Sequence, residues 1–345
     1  MTTSTDKDWF SLIPKAELHL HLEGAIPLET LQTLIASHTN RAPSLKSLRE
    51  RFQYRDFSHF IETWIWQHQF IKTYDDLTLI AEAFAQRLLA QNILYAETFC
   101  SPPDFASRGL SAGRILHAIR AGLDRVPEVD VALIPDLVRD YGPLQGARTL
   151  EEIAEVANET GVIGIGIGGS EQAHPPEPFA PVFERARALG LKTSAHAGEA
   201  AGASSVLGAL TALKVDRIGH GTRAVEDPRL LDLLVSSQTP IELCPVSNVC
   251  TGVIPSLQAH PIRRFIALGV PVTVNTDDPT MFNTSLAHEL RSLHHQLDFT
   301  PQELKQLVLG ALRDAWLGDN ARQEKITRFN AAFESFSHLE PAATS

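Results

Sequence analysis

Eight short apolar runs, separated by stretches of helical periodicity, constrain this chain more than any other feature. They are Glu17–Leu22 (ELHLHL), Ile93–Phe99, Val131–Leu137, Val162–Ile167 (VIGIGI), Lys192–His196, Arg217–His220 (RIGH), Pro240–Cys244 (PIELC) and Pro271–Thr276 (PVTVNT). Their lengths suit strands, and most are followed by an amphipathic stretch. Phe179–Leu189 repeats Phe179, Val182, Phe183, Ala186 and Leu189 on one helical face. Ser205–Leu213, Pro228–Leu234 and Pro261–Leu268 behave alike, and Gly190 and Gly269 stand where left-handed residues end helices. Strands alternating with helices imply a parallel sheet, and eight such units imply a closed (β/α)8 TIM-type barrel. A barrel of this kind takes about 250 residues or more as one domain, so residues 1–345 read as a single domain. The connection after the first strand is too long for one crossover, so about 27–92 reads as a helical insertion, with helices over Asp56–Lys72 and Asp75–Gln91. The stretch from Pro301 reads as helical again, with Thr300 as its cap and Glu303 in its first turn.

Composition narrows the class. With 30 basic and 41 acidic residues the net charge is −11, which argues against a general affinity for nucleic-acid phosphates. The longest comparable apolar run, Val162–Gly169, is far shorter than the roughly 18 residues a membrane span needs. MTTSTDKDWF has no secretory pattern, and three cysteines form no disulfide framework, so the expected compartment is the cytosol and no membrane partner is expected.

The polar residues gather where the strands end, the rim on which barrel enzymes carry their chemistry. His19 and His21 alternate with Leu18, Leu20 and Leu22, so both imidazoles face the same side of their strand. They could hold a divalent metal or be buried neutral rings satisfied by the backbone. In SAHAGE, His196 ends the fifth strand and Glu199 follows on the turn; a core histidine and a solvated glutamate compete with a functional pair. His220 lies between Gly219 and Gly221, which allow close backbone approach or simply a capped loop. Asp277 and Asp278 end the eighth strand, where an aspartate capping a helix started by Pro279 is the simpler reading of each motif alone. Four strand ends brought together by a barrel change that weighting. Three histidines and one aspartate are a suitable set for Zn2+ with an open position for water.

Taken in order, PKAELHLHLEGAI, SAHAGE, RIGHGTRAVEDP, ELCPVSN and VTVNTDDP resemble the adenosine deaminase family of the amidohydrolase superfamily, over residues 14 to 279. The resemblance implies one Zn2+ per chain, held by His19, His21, His196 and Asp277. It implies that Glu199 donates a proton to purine N1, that His220 orients the attacking water, and that Asp278 bonds N7. Gly169 of GIGGSE would offer its backbone to N3, Glu23 would lie toward the ribose, and His21 would also touch substrate. The chemistry agrees, because a metal lowers the pKa of bound water to about 7 and a protonated carboxyl at N1 receives the developing charge. His220 and Asp277 flank the water and could take its proton. No lysine stands in GIGIGGSEQ, where binuclear relatives carry a bridging one, and Cys100, Cys244 and Cys250 form no C-x-x-C of the cytidine-deaminase type.

The expected substrate is a small purine nucleoside, adenosine or 2′-deoxyadenosine, with aminodeoxyfutalosine and then adenine as alternatives. Glu23 stands where animal adenosine enzymes carry aspartate, and its charge disfavours a 5′-phosphate. A catalytically inactive nucleoside-binding relative is the reading from a different class. Gly164–Gly169 lacks the full spacing of a dinucleotide loop. Phe60, Trp64, Trp66 and Phe70 read as core or as a lid over the substrate mouth. Cys244 reads as packing, and His59, His68, His174 and His260 as surface or packing residues without identifiable partners.

Overall fold

The computed structural model describes residues 8–342; the opening segment read for a secretory signal lies outside them as far as residue 7. All eight expected strands form: β1 (Lys15–His21), β2 (Ile93–Cys100), β3 (Asp130–Pro135), β4 (Gly164–Ile165), β5 (Lys192–Ala197), β6 (Arg217–His220), β7 (Ile241–Leu243) and β8 (Val272–Val274). Every pairing is parallel and follows chain order, β1 to β3 in one ladder and β4 to β8 in another. Two seams join the ladders into a barrel. At one, Gly166 N donates to Pro135 O at 3.0 Å and Ile163 N to Leu133 O at 3.1 Å. At the other, Asp277 N donates to His19 O at 3.1 Å and His21 N to Asp277 O at 2.8 Å, with Leu20 bridged to Asp277.

The regular ladders of β4, β7 and β8 are shorter than the apolar runs that announced them. In β4 the glycines are there for neighbours. A Cβ on Gly164 would stand 2.5 Å from the Trp316 ring and one on Gly166 2.7 Å from Phe99. In β8 the backbone leaves the ladder before Asp277, whose φ of 64° is in the left-handed region.

Between β1 and β2 run α1 (Leu28–Thr39), α2 (Leu45–Arg51), α3 (Phe57–His68) and α4 (Tyr74–Ala90). Asp56 caps α3 through His59 N at 2.8 Å, and Thr73 and Asp76 form a capping box on α4. The expected insertion divides here. Only α1–α3 are extra, whereas α4 packs beside β2 and against α5 (Ala112–Leu123) like the other outer helices. Around the barrel follow α6 (Gly142–Thr160), α7 (Ala180–Ala188), α8 (Ala203–Gly208), α9 (Pro228–Ser237), α10 (Pro245–Cys250) and α11 (Ile262–Leu268). Gly190 and Gly269 have φ of +82°, as their positions after helices require. Beyond β8 lie α12 (Leu286–Leu297), α13 (Pro301–Asp314) and α14 (Asp319–Ser335); Thr300 and Glu303 close a capping box on α13. Pro279 starts no helix, so Asp278 is not a helix cap; Ser285 caps α12 instead. Among the described residues no helix is long and apolar enough to cross a membrane.

The α4–α5 contact is close enough to set the sign of a substitution. A Cβ on Gly122 would lie 2.3 Å from the Thr78 carbonyl oxygen and 2.8 Å from the Ala81 methyl. Helix propensity favours Gly122→Ala by about 1 kcal/mol, but overpacking costs about 1–3 kcal/mol. The urea midpoint of Gly122→Ala is therefore expected to fall, and a rise would show that the two helices can separate freely.

Candidate active site

Four buried side chains converge at the strand ends: His19 and His21 from β1, His196 from β5, and Asp277 beyond β8. His21 Nε2 and His196 Nε2 are 3.1 Å apart, and Asp277 Oδ1 lies 3.3 Å from His21 Nε2 and 3.5 Å from His19 Nε2. An ion bound tetrahedrally at about 2.0–2.1 Å separates its donors by about 3.3–3.4 Å, so these spacings fit a divalent ion such as zinc. The remaining hydrogen bonds point the same way. His19 Nδ1 meets Glu242 Oε2 at 2.8 Å, leaving Nε2 with no hydrogen-bond partner, and Asp277 Oδ2 accepts from Ser247 Oγ at 2.6 Å. Such outer contacts orient metal-binding side chains. Burial and the neighbouring rings His19, His21 and His220 hold His196 well below the usual imidazole range. Burial opposes the ionised form of Asp277, but His220, His19 and His21 outweigh it and hold the carboxyl well below its ordinary value.

The other expected residues stand around this cluster. Glu199 sits on the turn after β5, 3.5 Å from His220 Nε2. That turn is held by a residue the sequence reading passed over. The Glu171 carboxylate accepts from Gly198 N at 2.5 Å, Glu199 N at 3.2 Å and Ala201 N at 2.9 Å. Burial, reinforced by Asp277 and Glu171, pushes the Glu199 carboxyl well above its ordinary value. Asp278 is buried with Oδ1 lacking a partner, and burial together with Asp277, Glu199 and Glu23 raises its carboxyl well above the usual range. Gly24 makes room for it, since a Cβ there would come within 1.7 Å of Asp278 Oδ1. His220 has a φ of 60°, so two of the converging residues, His220 and Asp277, carry strained backbone of the kind stored at functional sites.

These groups open onto one cavity of about 330 Å³, lined by His21, His196, Glu199, His220, Asp277 and Asp278 at its floor. Gly169 lines it too; its φ is +97° and a Cβ would lie 2.2 Å from Asp140 Oδ2, so only glycine fits. Helix α3 forms one side of the mouth through Phe60, Trp64 and His68, while Trp66 lies under the Arg51 guanidinium and meets Phe70 edge to face. Glu23 is not on the cavity wall. It is buried behind Ser101, whose N–H it accepts at 2.9 Å, and burial pushes its carboxyl up to about 7. His260 was read as unpartnered, yet it contacts Asn248, which contacts His220. Glu242 was also missed, although its place between Ile241 and Leu243 turns it to the opposite side of β7 from its apolar neighbours.

Comparison with known proteins agrees with this geometry. The sequence model described as Adenosine deaminase matches residues 14–331. The adenine deaminase of Albidiferax ferrireducens is 32% identical over 329 residues, covering 94% of this chain and 95% of the relative. The aminodeoxyfutalosine deaminase of Streptomyces avermitilis is 33% identical over 323 residues, covering 91% and 90%. The crystal structure of an amidohydrolase from Burkholderia ambifaria, solved with bound Zn, superposes with a TM-score of 0.87 at 26% identity, covering 98% of this chain and 96% of that one. A family match over nearly the whole chain, joined to the barrel and its donor cluster, means that this protein belongs to the adenosine deaminase family.

Proposed function

We propose that the chain hydrolyses the 6-amino group of a purine nucleoside, adenosine or 2′-deoxyadenosine, releasing ammonia, as a single-domain cytosolic enzyme with one Zn2+ held by His19, His21, His196 and Asp277. The observation that carries this reading is the meeting of the four-donor cluster with two buried carboxyls, both pushed by burial toward their acid forms, in one cavity. When bound, the metal supplies a water acidic enough to act as a nucleophile near neutral pH.

The residues around it have complementary tasks. Addition of oxygen at C6 pushes electrons onto N1. Glu199, kept protonated by its surroundings, gives its proton to N1 and forms the N1–H bond as C6 becomes tetrahedral. The proton left on the added oxygen passes to the amino nitrogen, the C6–N bond breaks with its electron pair on nitrogen, C6=O forms, and ammonia leaves while N1 keeps its proton. Ring N7 accepts hydrogen bonds only, so its partner must donate. A protonated Asp278 does so, and its unpartnered Oδ1 is consistent with that role. The Gly169 backbone faces N3, and His220 and Asp277 flank the water. His21 and the mouth around Trp64 and His68 take the group on N9. Glu23 supports that side through Ser101 rather than by direct contact.

The relatives favour two neighbouring readings, since their names specify adenine and aminodeoxyfutalosine. Against free adenine, the cavity of about 330 Å³ is lined by Trp64, His68, Asp104 and Tyr141 as well as by the groups assigned to the purine, which favours a substrate with an N9 substituent. Incubating zinc-loaded protein with adenosine, adenine and aminodeoxyfutalosine in parallel, and following the ultraviolet change from 6-amino to 6-oxo purine, decides among them. Zinc-replete protein that converts none would leave the inactive nucleoside-binding relative.

Four variants at three positions test the assignments. Glu199→Gln is expected to lower kcat by about 10²–10⁴-fold with zinc retained. Because the acid form of Glu199 is the active one, activity is full below its raised pKa and is lost as pH rises through it. That alkaline limb should vanish from the kcat/KM profile of the variant. At position 278, Asp278→Ala should cost about 10–100-fold in kcat/KM, the worth of one buried hydrogen bond of about 1–3 kcal/mol. Asp278→Asn, which still donates, should cost less, and the reverse order would rule out a protonated Asp278. Glu242→Gln should weaken zinc binding by about 10–100-fold, measured by competition with a chelator.

A further inference from the structure

The contacts behind His220 determine which of its nitrogens carries a proton. Ile262 donates its backbone N–H to His260 Nδ1 at 3.2 Å. A backbone amide can only donate, so His260 Nδ1 is the accepting nitrogen and the ring's proton is on Nε2. That Nε2 lies 3.3 Å from Asn248 Oδ1 and donates to it. With its oxygen so engaged, the Asn248 amide turns its Nδ2–H2 toward His220 Nδ1, 3.1 Å away. His220 Nδ1 therefore accepts, and its proton lies on Nε2, facing Glu199 Oε2 at 3.5 Å. All three side chains are buried, so no solvent competes for these bonds. Burial also holds the His260 ring neutral, down at about 4.

We propose that His260 and Asn248 are positioning residues that lock His220 in the Nε2–H tautomer, so that toward the substrate it serves as a hydrogen-bond donor and not as a base. With its Nε2 lone pair committed to a proton, His220 can stabilise an oxygen gaining negative charge but cannot take a proton from water there. This replaces the expectation that His220 could act as the water's base. The part concerning the substrate oxygen rests on the proposed function; the tautomer itself rests only on the contacts within the chain.

The test is a two-bond 1H–15N correlation spectrum of the zinc-loaded full chain, labelled with 15N-histidine, at pH 7, with His220→Gln identifying the His220 signals. The parent should show His220 protonated on Nε2 alone. Protonation on Nδ1, or on both nitrogens, overturns the proposal without any variant. Asn248→Asp replaces the donor with an acceptor and should move the proton to Nδ1. Holding a catalytic histidine in the wrong tautomer costs up to about 10⁴-fold in a serine-protease triad, so kcat should fall by at least about 10²-fold, with KM and zinc content little changed. A folded, zinc-replete Asn248→Asp that keeps the parent tautomer, or the parent kcat, overturns the proposal. Should that variant not fold, His260→Ala decides in its place. It frees the Asn248 amide to turn and should give a mixture of both tautomers, whereas a single Nε2–H tautomer removes His260 from the relay. A merely structural role would lower stability and leave the tautomer unmoved. If the protein deaminates no purine, the proposed function fails while the spectrum still judges the relay.

Discussion

The seam between the first strand and Asp277 is the contact on which the rest depends. Asp277 N donates to His19 O, and His21 N donates to Asp277 O, so one residue supplies both halves of the closing bridge. The barrel is shut by the same residues that bring their side chains together as metal donors. Closure and donor placement are therefore one event. The cost is a left-handed backbone at Asp277, which the two hydrogen bonds and the Ser247 contact hold in place.

Burial at that seam then sets the proton inventory. Imidazoles around Asp277 favour its ionised form, while Glu199 and Asp278 are pushed toward their neutral forms by burial and by the charge on Asp277. One cavity thus gathers a carboxyl shifted toward its ionised form and two shifted toward their acid forms. That division follows from which carboxyl sits among the histidines, and it is what hydrolysis of an amino group on an aromatic ring requires.

Much of this was legible in the sequence because it depends on local periodicity. The alternation of His19 and His21 with leucines fixes a shared face at a spacing of two, and all eight strands announce themselves as apolar runs. Five motifs in order were enough to recognise the family. Less legible was everything that depends on which strand lies beside which. Glu242 stands 223 residues from His19, and Glu171 holds the turn of Glu199 from another loop. His260 looked solitary because its partner Asn248 is on the preceding helix and its tautomer is set by a backbone amide. The surroundings of Glu23 were no more legible. Its motif suggests a contact with substrate, but the turn after β1 buries it behind Ser101.

Residue types and their order along the chain therefore determined the strand count, the barrel, the donor set and the reaction class, since each follows from periodicity or from the chemistry of individual side chains. Tertiary structure alone decided the direction in which burial and neighbours shift each acid, the contacts that set the tautomer of His220, the split of the expected insertion into three extra helices and one ordinary barrel helix, and the burial of Glu23 behind Ser101. Those properties arise from burial and from hydrogen-bond partners distant in sequence, and a one-dimensional pattern contains neither.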